Sequence, residues 1–204
     1  MLPKHIRDGI FHYLPVLEGW TTPERGCEMA ESVLEVNHDV AVSIGVFSGR
    51  SVIAMGFAMR ERHRGMIYGI DPFKVEAATE GNTDPEDRKW WQEKSNLEEM
   101  HRGTMNAIWT HRLDEWATII RACSQHVHQL FNEIGVLEID GNHSEIASCR
   151  DVELYVPKVI PGGMIFFDDS DWSTTQKALS LLDQTCDLVK DGRDTSQYRI
   201  YRKR

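Results

Sequence analysis

The stretch of sequence that decides the fold is SIGVFSGRS, residues 43–51. It overlaps an apolar run that predicts a strand over residues 40–46, and it leads into an amphipathic segment that predicts a helix over residues 51–63. Glycine lets a backbone turn tightly and come close to a bound nucleotide, while the free N–H groups of the following helix face the ligand. Gly45 and Gly49 are therefore candidate cofactor-binding residues, although a plain strand-to-helix turn can carry the same spacing.

The next predicted strand ends in a carboxylate that fits this turn. Residues 66–70 form an apolar run that stops at Asp71, about 20 residues after the glycines, where nucleotide-binding sheets carry a ribose-binding acidic residue. An ordinary loop aspartate before Pro72 is the alternative. The turn and the carboxylate together favour a nucleotide. A dinucleotide enzyme would show Gly-x-Gly-x-x-Gly, whereas Val46 and Phe47 fill the middle of this turn.

Apolar runs continue to alternate with amphipathic stretches along the rest of the chain, which is the pattern of βαβ units in a parallel sheet. Thr22, as the N-cap before Pro23, predicts an opening helix to about residue 36. Further strands are predicted at residues 117–121, 136–139 and 164–167, helices at 97–109, 125–131, 145–155 and 175–182, and two C-terminal strands at 187–190 and 198–202 that add an antiparallel edge.

One stretch fits neither a strand nor a helix well. Residues 73–94 hold Gly81, Asn82, Pro85 and the pair Trp90-Trp91, and we interpret them as a lid-like insertion. The two tryptophans could close over a substrate, because aromatic side chains stack on rings and sugars, or they could simply be buried in the core.

The ends of the fourth and fifth strands carry three carboxylates: Asp140, Asp168 and Asp169. At neighbouring strand ends they would repel one another unless a proton or a cation neutralised them, and magnesium prefers such oxygens. The alternative is that they cap segments and serve a turn. His143 follows Asp140 by three residues and is a candidate general base. Asn142 to Glu145 also resembles a helix start, which is compatible with that role.

The composition limits the classes of function. The chain has 204 residues, which predicts one domain, with 41% hydrophobic and 27% charged residues. A formal net charge of −9 argues against nucleic acid as the main partner and favours a small molecule or a protein. No run suits a signal peptide or a membrane span, and four scattered cysteines predict reduced thiols, so we expect a cytoplasmic protein without membrane attachment.

Taken in order, these motifs resemble the class I S-adenosylmethionine-dependent methyltransferase family with the methyltransferase-24-type domain. The resemblance is carried by residues 43–51, 69–73, 139–144, 161–163 and 167–169. It implies a Rossmann-like α/β fold with a mostly parallel seven-stranded sheet and an antiparallel C-terminal edge. One domain would span residues 1–204, with an N-terminal helical segment over 1–38 and the insertion over 73–94.

The resemblance also implies roles for particular residues. Gly45 and Gly49 would line S-adenosylmethionine, with Ser51 and Asp140 in the same site; Asp71 would bind the ribose and Ser124 would lie near the adenine. By similarity to cation-dependent O-methyltransferases, Asp140, Asp168 and Asp169 would hold magnesium and His143 would be the base. The acceptor would be a small molecule with a sugar or phenolic hydroxyl, and relatives of this fold often self-associate.

One residue departs from the family pattern. Relatives commonly carry an acidic residue two positions before the first glycine, and this chain has Ser43. That departure keeps open a non-catalytic binding module that retains the fold, and a nicotinamide-dependent oxidoreductase is a further alternative.

Overall fold

A computed structural model of the protein describes residues 1–81, 85–93, 95–192 and 197–204. Within these ranges, seven strands form one sheet in the order β3-β2-β1-β4-β5-β7-β6. The first five strands are parallel, and β7 is antiparallel to both β5 and β6. The strands are β1 (Val40–Ile44), β2 (Met66–Ile70), β3 (Ala117–Ile120), β4 (Ile134–Ile139), β5 (Val159–Phe167), β6 (Cys186–Asp191) and β7 (Arg199–Lys203). This confirms the Rossmann-like sheet and its antiparallel edge.

Helices cover both faces of the sheet. They are α1 (Lys4–Tyr13), α2 (Pro23–Val36), α3 (Arg50–Arg62), α4 (Val75–Ala78), α5 (Pro85–Glu93), α6 (Leu97–Thr110), α7 (Ser124–Val127), α8 (Glu145–Tyr155) and α9 (Gln176–Thr185). The first three and α6 pack on one face, and α8 and α9 on the other. Successive strand residues point to opposite faces, so Val136 joins the first core and Leu137 the second. Both faces are covered, which explains why the central strands read as continuous apolar runs.

Helix α2 begins where the sequence predicts. The hydroxyl of Thr22 accepts a hydrogen bond from the backbone N–H of Arg25 at 3.2 Å, and Pro23 occupies the first turn. Asn37 ends the helix in the left-handed conformation with a φ of 55°. The helix places Arg25 in its first turn, fully inside the protein.

Some boundaries differ from the sequence predictions, each for a local reason. Strand β1 stops at Ile44 because Gly45 turns the chain with a φ of 87°. Strand β5 begins at Val159, ahead of the predicted residue 164, since it continues through Pro161 and the glycines after it. The predicted helix over residues 125–131 is the short α7 followed by a 3-10 turn, His128–Leu130.

The stretch 73–94 contains helices that the sequence did not predict. Helix α4 is a single turn, and α5 starts at Pro85, a residue that suits the first position of a helix. Asn82 and residues 83, 84 and 94 lie outside the described part of the chain. Across the described ranges, no helix combines the length and apolar character needed to cross a bilayer.

Candidate cofactor and acceptor site

A cavity of about 960 Å³ opens at the carboxyl ends of the central strands. This is the edge where open α/β sheets bind ligands. Its lining includes the predicted site residues Gly45, Ser51, Asp71, Ser124, Asp140, His143, Asp168 and Asp169. Gly49 is outside that lining and begins α3 instead, with a φ of 84°. A side chain there would meet Cγ2 of Thr104 at 2.6 Å, so this glycine serves the packing of α6 against the turn.

Gly45 allows the ends of β1 and β4 to come together. A Cβ at this position would lie 1.9 Å from the carbonyl oxygen of Asp140. The positive φ of 87° is also unfavourable for other residues. The glycine therefore shapes the cavity wall between the two strand ends.

Asp71 fixes the glycine turn from the neighbouring strand. Its Oδ2 accepts hydrogen bonds from the backbone N–H groups of Val46 and Phe47, at 2.9 and 3.1 Å, and its Oδ1 accepts one from Phe73 at 2.6 Å. These bonds hold Phe47 at a φ of 49°. Burial raises the pKa of Asp71, and the three backbone bonds oppose that shift. Asp71 also lines the cavity, which is compatible with ribose binding. That role stays a prediction.

Ser124 pairs with an acid that the sequence did not single out. Its hydroxyl donates to Oδ1 of Asp151 at 2.5 Å, and its carbonyl accepts from the hydroxyl of Tyr155 at 2.8 Å. Asp151 is 3% exposed and lines the same cavity. Burial raises the pKa of Asp151 to about 6. The end of the cavity at Ser124 therefore contains a carboxyl group that titrates near neutral pH.

A second buried acid lies beside Ser43. Glu138 of β4 is opposite Ser43 of β1 in the sheet register and is fully buried. It accepts hydrogen bonds from the hydroxyls of Ser43 and Ser51, at 2.6 and 2.8 Å, and from Nη2 of Arg25 at 3.1 Å. The neighbouring strand thus supplies the carboxylate that is missing at position 43.

Arg25 is the positive partner of the carboxylates at these strand ends. Its Nη1 donates to Oδ1 of Asp168 at 2.5 Å, and its Nη2 lies 3.9 Å from Oδ2 of Asp140. The side chain is 5% exposed, and its guanidinium carbon lies 4.8 Å from the ring centre of Tyr198. Burial alone would lower the pKa of Arg25, but the surrounding carboxylates outweigh it and raise that pKa. Burial also raises the pKa of Asp140, with Asp168 acting in the same direction.

His143 makes a different pairing. Its Nδ1 lies 2.9 Å from Oδ2 of Asp169, and its Nε2 lies 3.9 Å from Oδ1 of Asp140. Within the described part of the chain, the buried Nε2 has no hydrogen-bond partner. Burial would lower the pKa of His143, but Asp140 and Asp169 raise it to about 10. The ring of Trp172 packs edge-on against this imidazole at 4.9 Å.

Aromatic side chains from three parts of the chain form one side of the cavity. Trp20 contacts Phe47 and Trp90, with ring centres 5.0 and 5.4 Å apart, and Trp90 contacts Trp91 at 5.1 Å. Trp90 and Trp91 are half-buried at the cavity, and Trp20 is 67% exposed. We call Trp20, Phe47, Trp90 and Trp91 the aromatic wall.

Residues 42–170, more than half of the chain, match the sequence profile of a family described as "Methyltransferase domain". The chain belongs to the class I S-adenosylmethionine-dependent methyltransferases. A search of curated proteins gives no significant match to this methyltransferase.

Solved structures share the fold of this methyltransferase. The O-methyltransferase NovP is 20% identical, with a TM-score of 0.68 over 88% of this chain and 78% of its own. A putative O-methyltransferase from Klebsiella pneumoniae is 10% identical, with a TM-score of 0.64 over 100% and 91%. A Podospora anserina methyltransferase with bound S-adenosylhomocysteine is 11% identical, with a TM-score of 0.64 over 100% and 89%. At these identities the likeness concerns the fold.

Sequence reasoning missed three residues at or next to this cavity: Arg25 and Asp151, which line it, and Glu138, which is buried beside Arg25. Glu138 had a usable signal, because it is the one charged residue in the apolar strand Ile134–Ile139. A charge there must find a partner inside the protein. Arg25 and Asp151 are on helices whose other residues are mixed in polarity, so no local pattern distinguishes them.

Proposed function

We propose that the protein is an O-methyltransferase that transfers the methyl group of S-adenosylmethionine to a hydroxyl of a small molecule. The observation that carries this proposal is the His143–Asp169 pair in the wall of the cofactor cavity. A hydroxyl is a weak nucleophile until a base removes its proton. Solved structures that share the fold are described as O-methyltransferases, which supports oxygen as the acceptor atom.

The residues divide the work between binding and proton transfer. Bound S-adenosylmethionine supplies an electrophilic methyl group on a positively charged sulfur. In this proposal the turn at Gly45 would leave room for it, Asp71 would bind the ribose, and Ser124 would lie near the adenine. Asp169 would accept a hydrogen bond from Nδ1–H of His143, which leaves a deprotonated Nε2 to take the acceptor's proton as the acceptor oxygen bonds to the methyl carbon and S-adenosylhomocysteine leaves. Most of the rate gain would come from positioning.

The protonation of His143 fits this role only in the loaded site. With its pKa raised to about 10, His143 carries a proton in the ligand-free protein at neutral pH. A positive charge bound nearby lowers the pKa of an imidazole, because two like charges disfavour each other. Cofactor binding would therefore promote the release of that proton and leave a free Nε2 for the acceptor.

The three aspartates predicted to bind magnesium have side-chain partners of their own. Asp168 and Asp140 face Arg25, and Asp169 is paired with His143. In the described residues, no group of three or more His, Cys, Asp or Glu side chains is arranged to hold a metal ion. Magnesium demands oxygen ligands at about 2.0–2.1 Å in octahedral geometry. In this arrangement the residues do not fit the ion, so magnesium stays a prediction of the sequence.

The aromatic wall favours an acceptor with a flat or apolar face, such as a phenolic ring or a sugar. Trp90 and Trp91 offer large ring surfaces at the cavity, next to Trp20. Self-association and a cytoplasmic location stay predictions from the sequence alone.

The test of this function is calorimetric titration with S-adenosylhomocysteine, followed by an acceptor screen with phenols and sugars. We expect micromolar binding of S-adenosylhomocysteine, which NAD does not displace, and methylation on oxygen in the screen. Absence of binding would refute the proposal. Binding without any turnover across the screen would favour the non-catalytic module.

A further inference from the structure

We propose that the guanidinium of Arg25 is the resident cation of this site. It takes the place between Asp140 and Asp168 where the sequence predicted magnesium, so this protein holds its strand-end carboxylates without a divalent metal. The extension of this idea to metal-independent methyl transfer rests on the proposed function; the part about metal binding does not.

The contacts of Arg25 use the carboxylates that a metal would need. One terminal nitrogen donates to Asp168 at 2.5 Å, and the other donates to Glu138 at 3.1 Å and lies 3.9 Å from Asp140. A planar guanidinium presents its donors in a fixed fork that matches carboxylate oxygens. A dication between the same oxygens would have to displace this group and then lie beside its positive charge.

A network of Tyr198, Glu28 and Lys190 supports the side chain of Arg25. Tyr198 packs its ring against the guanidinium at 4.8 Å, and its hydroxyl donates a hydrogen bond to Glu28. Lys190 donates to both Glu28 and Tyr198, at 2.5 and 2.8 Å. Arg25 and Glu28 are both in α2, so the network ties this helix to β6 and to Tyr198 before β7. If the Arg25 side chain left the site, it would lose its contact with Tyr198, and Glu138 would be buried without a cationic partner.

The third predicted ligand also has a side-chain partner. Nδ1 of His143 lies 2.9 Å from Oδ2 of Asp169, and its Nε2 lies 3.9 Å from Oδ1 of Asp140. Arg25 and His143 together therefore contact all three carboxylates that the sequence assigned to magnesium. A divalent ion would have to displace both partners to reach these oxygens.

Arg25 acts as a positioning residue in this scheme. A guanidinium does not lose its proton and has no open coordination position for a hydroxyl oxygen. It fixes Asp140 and Asp168 at the cavity wall, and activation of the acceptor is left to His143. This differs from a metal site, in which the ion itself binds and acidifies the acceptor.

The experiment is electron paramagnetic resonance of Mn²⁺, a probe for a magnesium site, with four purified proteins. Wild type and the control Arg64→Ala, which removes an exposed arginine paired with Asp39, should leave the Mn²⁺ signal free. Arg25→Ala should bind one Mn²⁺ at the vacated carboxylates and be stabilised against heat by it. Arg25→Lys keeps a charge and should not bind.

Two results would overturn the inference. One is stoichiometric Mn²⁺ binding by wild type that Asp168→Asn abolishes, a measurement that does not depend on the folding of any Arg25 variant. The other is a folded Arg25→Ala protein that binds no Mn²⁺. S-adenosylhomocysteine titration of wild type separates these outcomes from failure of the proposed function. Once an acceptor is known, undiminished turnover in EDTA is the further expectation.

Discussion

Single residues decide the electrostatics of this site, and Glu138 is the clearest case. Glu138→Ala would leave Arg25 short of a buried partner and remove the acceptor for the hydroxyls of Ser43 and Ser51. We expect urea unfolding to show a loss of about 3–5 kcal/mol, the usual result of breaking a buried ion pair. Exposed Glu115→Ala is the control and should change stability by less than about 0.5 kcal/mol. Similar losses in both variants would contradict this account.

The two kinds of glycine in this chain give a matched pair of variants. Gly45→Ala would place a Cβ 1.9 Å from the carbonyl of Asp140, so we expect it to destabilise by more than about 2 kcal/mol and to weaken S-adenosylhomocysteine binding. Gly103 lies in the exposed part of α6 with nothing near its Cβ position. Gly103→Ala should stabilise by about 0.5–1 kcal/mol in the same urea assay. A harmless Gly45→Ala would show that β1 and β4 do not need this close approach.

The proposed proton-transfer role of His143 can be separated experimentally from cofactor binding. We expect His143→Ala to lower kcat by about 10²–10⁴-fold, the usual contribution of general acid–base catalysis, and to leave the Kd for S-adenosylhomocysteine nearly unchanged. Exposed His126→Ala is the control and should retain both. Full activity in His143→Ala would remove it from the mechanism, and a parallel loss of cofactor binding would indicate a structural role instead.

At the scale of elements, α8 brings a titrating acid to the end of the cavity at Ser124. The folded-state pKa of Asp151 is raised to about 6, above about 3.9 for a free aspartate, so the folded protein binds the proton more tightly. Stability from this group is therefore full below about pH 4 and falls as the pH rises through about 6, by about 3 kcal/mol in all. Asp151→Asn should remove that slope in urea unfolding, while Glu153→Gln on the exposed face should not. An unchanged slope would mean that Asp151 is not the titrating group.

The elements themselves could largely be predicted from the sequence. Strand β2 and helix α2 have the predicted bounds, because apolar period and a Thr-Pro cap are local signals. Helix α5 could not be found, since Trp90 and Trp91 are adjacent in its charged sequence and do not show a helical period, and only Pro85 marks its start. The prediction for β5 was too short. Proline and glycine usually mark turns, but here Pro161, Gly162 and Gly163 lie inside the strand.

The site was predictable only in part, for a reason of distance along the chain. Carboxylates at strand ends follow from the sheet alone, so Asp140 and Asp168 were found. Their partner Arg25 is 143 residues from Asp168 in sequence, and the contact depends on how α2 packs over the strand ends. The sequence therefore indicates that carboxylates meet at the strand ends, but it does not indicate that Arg25 is their positive partner.

At the scale of the whole molecule, the aromatic wall joins the N-terminal segment to the insertion across the cavity mouth. Trp20 and Trp90 are 5.4 Å apart although they belong to distant parts of the chain. We expect S-adenosylhomocysteine to slow amide hydrogen exchange in Pro85–Glu93 and around Trp20 together, because bound ligand stabilises both sides of the contact. Trp20→Ala should uncouple the two segments, whereas Trp109→Ala, another exposed tryptophan, should not. Independent exchange in wild type would show that the two segments do not act together.

The Ser43–Glu138 pair also limits how this protein could have diverged from relatives with an acidic residue in β1. The two positions are 95 residues apart in sequence yet side by side in the sheet. An ancestor with carboxylates at both would have two negative charges in contact inside the core, and one with neither would leave Arg25 without its closest β4 partner. Both combinations are costly, so the two positions are expected to change together.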